Sequence, residues 1–181
     1  TAVRFLLDYA EFTPREQNIT QSGDLVLDPA CGSGTFVLEV MSRVIESLED
    51  AGFDFSRDDD LLEAVELINE KVRGFDIDPF ATQLAQSNLL IRILQECRGG
   101  HVGDAHLELP EFSTYETDSL LTAKGSDSRM SNRRFYRSKE NDAEHLDEIM
   151  EAKEDDYAWI VGNPPYIRPH NQEDRVIAEY E

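Results

Sequence analysis

Residues 25–36 read LVLDPACGSGTF, and this stretch decides the fold. The apolar run at its start predicts a buried strand, and the residues from Asp28 to Gly34 predict a turn directly after it. From Thr35 to Glu49, apolar residues recur at intervals of three and four, which is typical of a helix packed on a core. A strand, a glycine-containing turn and a helix in this order indicate the first unit of an α/β domain.

The same succession recurs further along the chain. Strands are predicted at residues 72–76, weakly at His101–Gly103, and at residues 157–161. Helices are predicted at residues 1–10, 35–49, 61–71, 79–97, 142–153 and 172–180. Strands that alternate with helices form a parallel sheet with right-handed crossovers. The sequence therefore predicts an α/β, Rossmann-like fold that stops after its fourth parallel strand.

The length of 181 residues fits one domain, which we take as residues 1–181. Within it, residues 110–141 lose helical and strand periodicity and are rich in Ser, Thr and charge, so we predict a loop insertion there. The first residues read as an amphipathic helix without a signal peptide, and no apolar run is long enough to span a membrane. Cys31 and Cys97 are too far apart for a metal-ligand spacing, and the four His residues form none either. We expect two free thiols, no metal site and a cytoplasmic protein.

The charge argues against a nucleic-acid-binding surface on this chain. Asp and Glu total 38 against 17 Lys and Arg, which gives a net charge of −21. Proteins that bind DNA present basic surfaces to the phosphates. High acidity with few Lys residues resembles the proteins of salt-accumulating halophiles, in which molar salt screens the repulsion between carboxylates. We expect stability to rise with salt, and any basic DNA-binding surface to lie mostly outside this chain.

Three acidic residues each follow a predicted strand. They are Asp28, Asp76 and Asp104, and ligands of parallel α/β sheets bind at the carboxyl ends of strands. Gly32 and Gly34 allow the backbone to turn sharply beside such a ligand. A dinucleotide site would need a third glycine where Val37 stands, so a cofactor with positive charges suits the acidic turn better than a pyrophosphate. Helix capping by Asp76, and loop capping by Asp104, stay open as alternatives.

The most specific motif is Asn163-Pro164-Pro165-Tyr166, which follows the last predicted strand. The amine of an aromatic base is a poor nucleophile because its lone pair is delocalised into the ring. The Asn163 side-chain carbonyl and the Pro164 main-chain carbonyl can accept both N–H groups of such an amine and favour a tetrahedral nitrogen. The prolines fix these acceptors in place before a substrate arrives, and Tyr166 offers a face for stacking a flipped base.

Together the two motifs resemble the adenine-N6 DNA methyltransferases of restriction–modification systems, of the type in which the cofactor motif comes first and the target-recognition domain last. The resemblance implies the class I S-adenosylmethionine-dependent methyltransferase fold, with double-stranded DNA as substrate. It implies catalytic roles for Asn163, Pro164, Pro165 and Tyr166. It further implies that S-adenosylmethionine is bound by Asp28, Pro29, Ala30, Cys31, Gly32, Gly34, Phe36, Asp76, Ile77, Asp104 and Ala105.

The resemblance also implies parts that this chain lacks, namely further strands and the target-recognition domain. We therefore expect little activity from the chain alone, and a partner specificity subunit, nuclease subunit or fused nuclease is possible. Two alternatives remain open. Methyltransferases of protein glutamine or of an RNA base also use the Asn-Pro-Pro-Tyr turn, and a module that binds cofactor or DNA without catalysis would share the fold.

Overall fold

The computed structural model describes residues 1–14, 19, 21–96, 112–119 and 142–164. Helices and strands alternate along these residues as the sequence predicts. In chain order they are α1 (Ala2–Tyr9), β1 (Leu25–Asp28), α2 (Thr35–Asp50), α3 (Asp58–Lys71), β2 (Val72–Asp76), α4 (Pro79–Glu96), β3 (Thr114–Glu116), α5 (Asp142–Glu154) and β4 (Tyr157–Ile160).

The four strands form one parallel sheet in the order β3-β2-β1-β4. β1 lies between β2 and β4, so the turn after β1 has the end of a strand on each side. Parallel strands share one carboxyl edge, and the residues that follow β1, β2 and β4 meet there. The predicted α/β class and the parallel sheet of four strands are confirmed.

The larger hydrophobic core lies between one face of the sheet and helices α1 to α4. Helix α2 contributes most to it, because its apolar residues at intervals of three and four all point inward. Burying each large side chain stabilises the fold by about 1.5–3 kcal/mol. The buried residues of α2 are Phe36, Val37, Val40, Met41, Val44, Ile45 and Leu48.

A smaller core covers the other face of the sheet. Leu27, Phe75 and Tyr115, from three adjacent strands, pack there against Ile149 and Ala152 of α5. The rings of Phe75 and Tyr115 lie 6.1 Å apart between centroids. With helices on both faces, β1, β2 and β3 are largely buried, as is typical of parallel sheets, whereas β4 at the edge is partly exposed.

Helix α3 begins earlier than predicted. The sequence predicts a helix from residue 61, but the acidic stretch Asp58-Asp59-Asp60 forms the first turn of α3. Negative side chains are favourable there because the first turn carries the positive end of the helix dipole. The Asp60 carboxylate also accepts a hydrogen bond from the Asp54 N–H at 2.8 Å.

The prediction of a loop at residues 110–141 is wrong for Thr114–Glu116, which form strand β3 beside β2. Three residues are too few to show the alternation by which a strand is recognised. The pairing itself stabilises the strand, because the Gly74 N–H donates to the Ser113 carbonyl and the Thr117 N–H to the Asp76 carbonyl, at 2.9 and 2.8 Å. The strand predicted at His101–Gly103 and the helix predicted at 172–180 lie outside the described residues.

Candidate functional site at the carboxyl ends of the strands

The turn between β1 and α2 depends on two glycines. Gly32 and Gly34 have positive φ angles of 53° and 84°, which side-chain-bearing residues rarely adopt. A Cβ atom at Gly34 would also lie 3.1 Å from the Cβ of Ala85 in α4. The turn is tied to the neighbouring strand by the Cys31 N–H, which donates to the Phe75 carbonyl at 2.8 Å. The backbone of this turn is therefore held in one conformation.

Asp28, the last residue of β1, is buried at the start of this turn with only 2% of its surface exposed. Its carboxylate accepts a hydrogen bond from the Ala30 N–H at 3.1 Å. Burial raises the pKa of Asp28 to about 7, with a smaller upward contribution from the charge of Asp76 and an opposing one from the Ala30 N–H. Among the described groups that shift the pKa of Asp28, none is a basic side chain.

Asp76 occupies the equivalent position at the end of β2. One of its oxygens accepts the Gly32 N–H at 2.8 Å, and the other accepts the Asp78 N–H at 2.9 Å. Asp78 in turn accepts the Phe80 N–H at 3.0 Å and caps the start of α4. The helix cap is therefore Asp78 and not Asp76, and the Asp76 carboxylate holds the glycine turn against the end of β2.

The candidate catalytic turn begins at the end of β4. The Val161 N–H donates to the Leu27 carbonyl at 2.9 Å, so the pairing with β1 continues past the last residue of the strand. Gly162 then lies against the Asp28 carboxylate: a Cβ atom on Gly162 would be only 2.6 Å from the Asp28 Oδ1. Asn163 and Pro164 follow and are exposed. The candidate catalytic residues thus start directly beside the candidate cofactor turn.

The electrostatics of this edge favour a cationic ligand. The charge of Asp76 contributes to the raised pKa of Asp28, and a positive group near both carboxylates would relieve this repulsion. A Cβ atom at Gly32 would project into open space, so the turn leaves room for a ligand against its backbone. The sulfonium and ammonium groups of S-adenosylmethionine fit these surroundings, whereas a pyrophosphate would be repelled.

Apolar side chains border the same edge. Ile77 is 51% exposed and Phe80 is 70% exposed, immediately after the end of β2. Exposed apolar groups beside these acids suit the flat face of an adenine ring. Phe36 is different, because it is 7% exposed and belongs to the larger core. A contact between Phe36 and cofactor stays a prediction.

Cys31 lies inside the glycine turn after β1 but is not a nucleophile there. Its thiol is buried, and burial together with the charges of Asp28 and Asp76 raises its pKa to about 12. A thiol with this pKa stays protonated at neutral pH, and only the thiolate is reactive. Cys31 is a free, buried cysteine. It packs tightly against the backbone of Gly74, where a Cβ atom would lie only 3.2 Å from the Cys31 Cβ and Sγ atoms.

Strand β3 adds acidic residues at this edge that the sequence pattern does not reveal. The register pairs Asp76 with Glu116, the last residue of β3, and Asp118 follows two residues later, where its main-chain carbonyl accepts a hydrogen bond from Lys153 of α5. Asp104 and Ala105, which the sequence suggested for this place, lie outside the described residues, as do Pro165 and Tyr166.

Comparison with known proteins gives three similarities. The family model described as Eco57I restriction-modification methylase matches residues 70–181. The one described as RMKL-like, methyltransferase domain, matches residues 18–107. A curated protein of Streptomyces coelicolor, named adenine-specific methyltransferase PglX, is 30% identical over 156 residues, which cover 78% of this chain and 12% of that protein. The chain therefore spans about one eighth of the length of this relative.

Proposed function

We propose that this chain, which belongs to the Eco57I restriction-modification methylase family, forms the cofactor-binding and catalytic part of a DNA adenine-N6 methyltransferase. The observation that carries the proposal is the contact between the backbone of Gly162 and the Asp28 carboxylate. It brings the turn that begins with Asn163 against the turn suited to a cationic cofactor. The similarity to a protein named as an adenine-specific methyltransferase supports the choice of adenine.

S-Adenosylmethionine, when bound, supplies a methyl group on a positively charged sulfur. Asp28 stabilises the positive charges of the methionine part, and the backbone of residues 29–34 surrounds that part. Asp76 accepts hydrogen bonds from the ribose hydroxyls with the lone pairs that the Gly32 and Asp78 N–H groups leave available, since a carboxylate has about four acceptor sites. These assignments give each acid at the edge a different part of the cofactor.

The adenine of the cofactor is assigned to the neighbouring end of the sheet. Ile77 packs against the face of this adenine, and the exposed ring of Phe80, three residues further along, adds a second apolar contact. Asp104 accepts a hydrogen bond from the exocyclic amine of the adenine, the role that the sequence predicts for this residue, which lies outside the described residues.

Asn163 and Pro164 act on the substrate. The Asn163 side-chain carbonyl and the Pro164 main-chain carbonyl accept the two N–H bonds of the target amine, which localises the nitrogen lone pair on the side facing the methyl group. S-Adenosylmethionine held beside Asp28 and the turn of residues 29–34 would supply the methyl group, with the electron pair of the broken S–C bond left on sulfur, and the methylated amine would lose one proton to solvent. Pro165 fixes the turn, and Tyr166 stacks on the flipped base.

We further propose that the full-length protein acts on double-stranded DNA in the cytoplasm, and that contacts to the DNA target are made largely outside this chain. The net charge of −21 supports this division, because an acidic surface repels phosphates. A specificity subunit, a nuclease subunit or a fused nuclease would complete a restriction–modification system. No helix within the described residues is long and apolar enough to cross a membrane.

The substrate class is tested by offering the full-length protein labelled S-adenosylmethionine together with DNA, RNA and total cell protein, in molar KCl and in low salt. We expect label in DNA, and none in DNA that is incubated with an Asn163→Ala variant. Label in RNA or in protein glutamine would mean that the catalytic turn acts on a different amine or amide. Cofactor binding without transfer to any of the three would contradict the proposal and favour a non-catalytic module.

A further inference from the structure

The backbone at Gly162 approaches the cofactor turn more closely than a side chain would permit. The ideal Cβ position at residue 162 is 2.6 Å from Asp28 Oδ1, 3.4 Å from Asp28 Cγ and 3.4 Å from Pro29 Cδ. A Cβ atom essentially never lies within 3.0 Å of a heavy atom outside its own and the neighbouring residues. An alanine at residue 162 would therefore have to move at least 0.4 Å away from Asp28 Oδ1, from 2.6 to 3.0 Å. The φ angle of Gly162 is not in the positive range, so conformational freedom does not explain the glycine.

The Asp28 side chain has little room to move aside. It is 2% exposed, and the Ala30 N–H holds its Oδ1, the same oxygen that faces Gly162. The other side of the contact is different, because Asn163 and Pro164 are exposed. If a methyl group is introduced between the two, the turn at residue 163 is therefore the part that yields.

We propose that Gly162 is a positioning residue, whose missing side chain lets the Asp28 carboxylate set the distance between the cofactor turn and the acceptors at Asn163 and Pro164. This inference rests on the proposed function. Asp28 then serves two purposes, since it faces the cofactor and acts as the surface on which the catalytic turn lies. Gly162 touches no substrate, and acts through its neighbours on either side.

The expected effect of Gly162→Ala is on the rate of transfer more than on cofactor affinity. A misplacement of 1 Å can reduce a rate about 100-fold, so a shift of about 0.4 Å predicts a fall in kcat of about sixfold. The dissociation constant of S-adenosylmethionine should change less than about threefold, because the cofactor turn stays in place. A variant that is merely unstable would lose both in proportion to its folded fraction.

The test compares Gly162→Ala with a matched control and with a double variant, in the full-length protein and with the polymer that the wild type labels. Gly23→Ala is the control, because a Cβ there meets nothing within 4 Å. Asp28→Ala removes the group with which the new methyl collides. At saturating cofactor, Asp28→Ala/Gly162→Ala should therefore have the same kcat as Asp28→Ala alone.

A kcat of Gly162→Ala equal to that of the wild type would overturn the inference, as would independent, multiplicative losses in the double variant. If Asp28→Ala shows no measurable transfer, crystal structures of the wild type and of Gly162→Ala are compared instead. A shift of the residue 163 backbone by about 0.4 Å would support the inference, and an unmoved turn would overturn it. A wild type that transfers no methyl group refutes the proposed function as well, whereas an active wild type with an equally active Gly162→Ala refutes the inference alone.

Discussion

Replacing Asp28 with Asn should make the cofactor-free protein more stable at pH 8. Burial raises the pKa of the Asp28 carboxyl from 3.8 to about 7 in the folded state, so ionisation of this group opposes folding. The stability that goes with its neutral form is fully present below pH 3.8 and is lost as the pH rises through 7. At 1.36 kcal/mol for each unit of pKa, the loss in the wild type amounts to about 4 kcal/mol.

Asn is close to Asp in size, keeps an acceptor for the Ala30 N–H, and does not titrate. Chemical denaturation of both proteins should show similar free energies of unfolding near pH 4, and a difference of about 2–4 kcal/mol in favour of Asp28→Asn at pH 8. Asp147→Asn is the control, because Asp147 is exposed. Equal stabilities of Asp28→Asn and the wild type at pH 8, or a difference that does not change with pH, would refute the argument from burial.

The same substitution should weaken cofactor binding, which gives a reason for keeping a destabilising acid. A cation beside Asp28 favours its ionised form, so S-adenosylmethionine binding to the wild type should tighten as the pH rises from 5 to 8. Isothermal titration across this range should show that pH dependence in the wild type and its loss in Asp28→Asn. A pH-independent affinity in the wild type would mean that Asp28 does not face the positive groups.

Three further predictions concern stability. Arg43→Met should lower the free energy of unfolding by about 2 kcal/mol, measured by chemical denaturation. The substitution removes hydrogen bonds from Arg43 to the Phe12 carbonyl and the Asp8 carboxylate, both at 2.6 Å. A change under about 0.5 kcal/mol would mean that these bonds contribute little. Gly34→Ala should lower the free energy of unfolding by about 1–3 kcal/mol, since φ is 84° and the new Cβ would lie 3.1 Å from that of Ala85. Gly23→Ala is the control and should be close to neutral in the same assay, because a Cβ there meets nothing within 4 Å. Molar KCl should raise the melting temperature of a protein with a net charge of −21, and a melting temperature that is highest in low salt would exclude adaptation to salt.

The sequence predicted the parts of the fold that have strong periodicity. Strand β1, the glycine turn and helix α2 lie where the pattern placed them, because a buried strand is an uninterrupted apolar run and a core-facing helix repeats every three to four residues. The acids Asp28 and Asp76 could be placed for the same reason, since each ends a strand that is easily recognised. Their hydrogen bonds to Ala30 and Gly32 could not be predicted, because they depend on how two turns meet.

The third strand shows where such reasoning fails. Thr114–Glu116 is short, and its stability comes from pairing with β2 and from the contact of Tyr115 with Phe75. Neither is visible in a local pattern. The acid after the third strand is predicted at Asp104, which lies outside the described residues, so its role stays a prediction. The close approach of Gly162 to Asp28 could not be predicted from the sequence either, because the lack of a side chain is informative only when the neighbour in space is known.

In the proposed function, the turn at Asn163 presents two acceptors to the exocyclic amine of adenine in DNA. The most direct test is to digest DNA that the full-length protein has methylated and to identify the modified nucleoside by mass spectrometry, for the wild type and for Asn163→Ala. We predict N6-methyladenine in the wild-type product and a loss of at least 100-fold in the variant, whose cofactor affinity should be unchanged. Methylation at another position or base, or N6-methyladenine that persists in Asn163→Ala, would contradict the account.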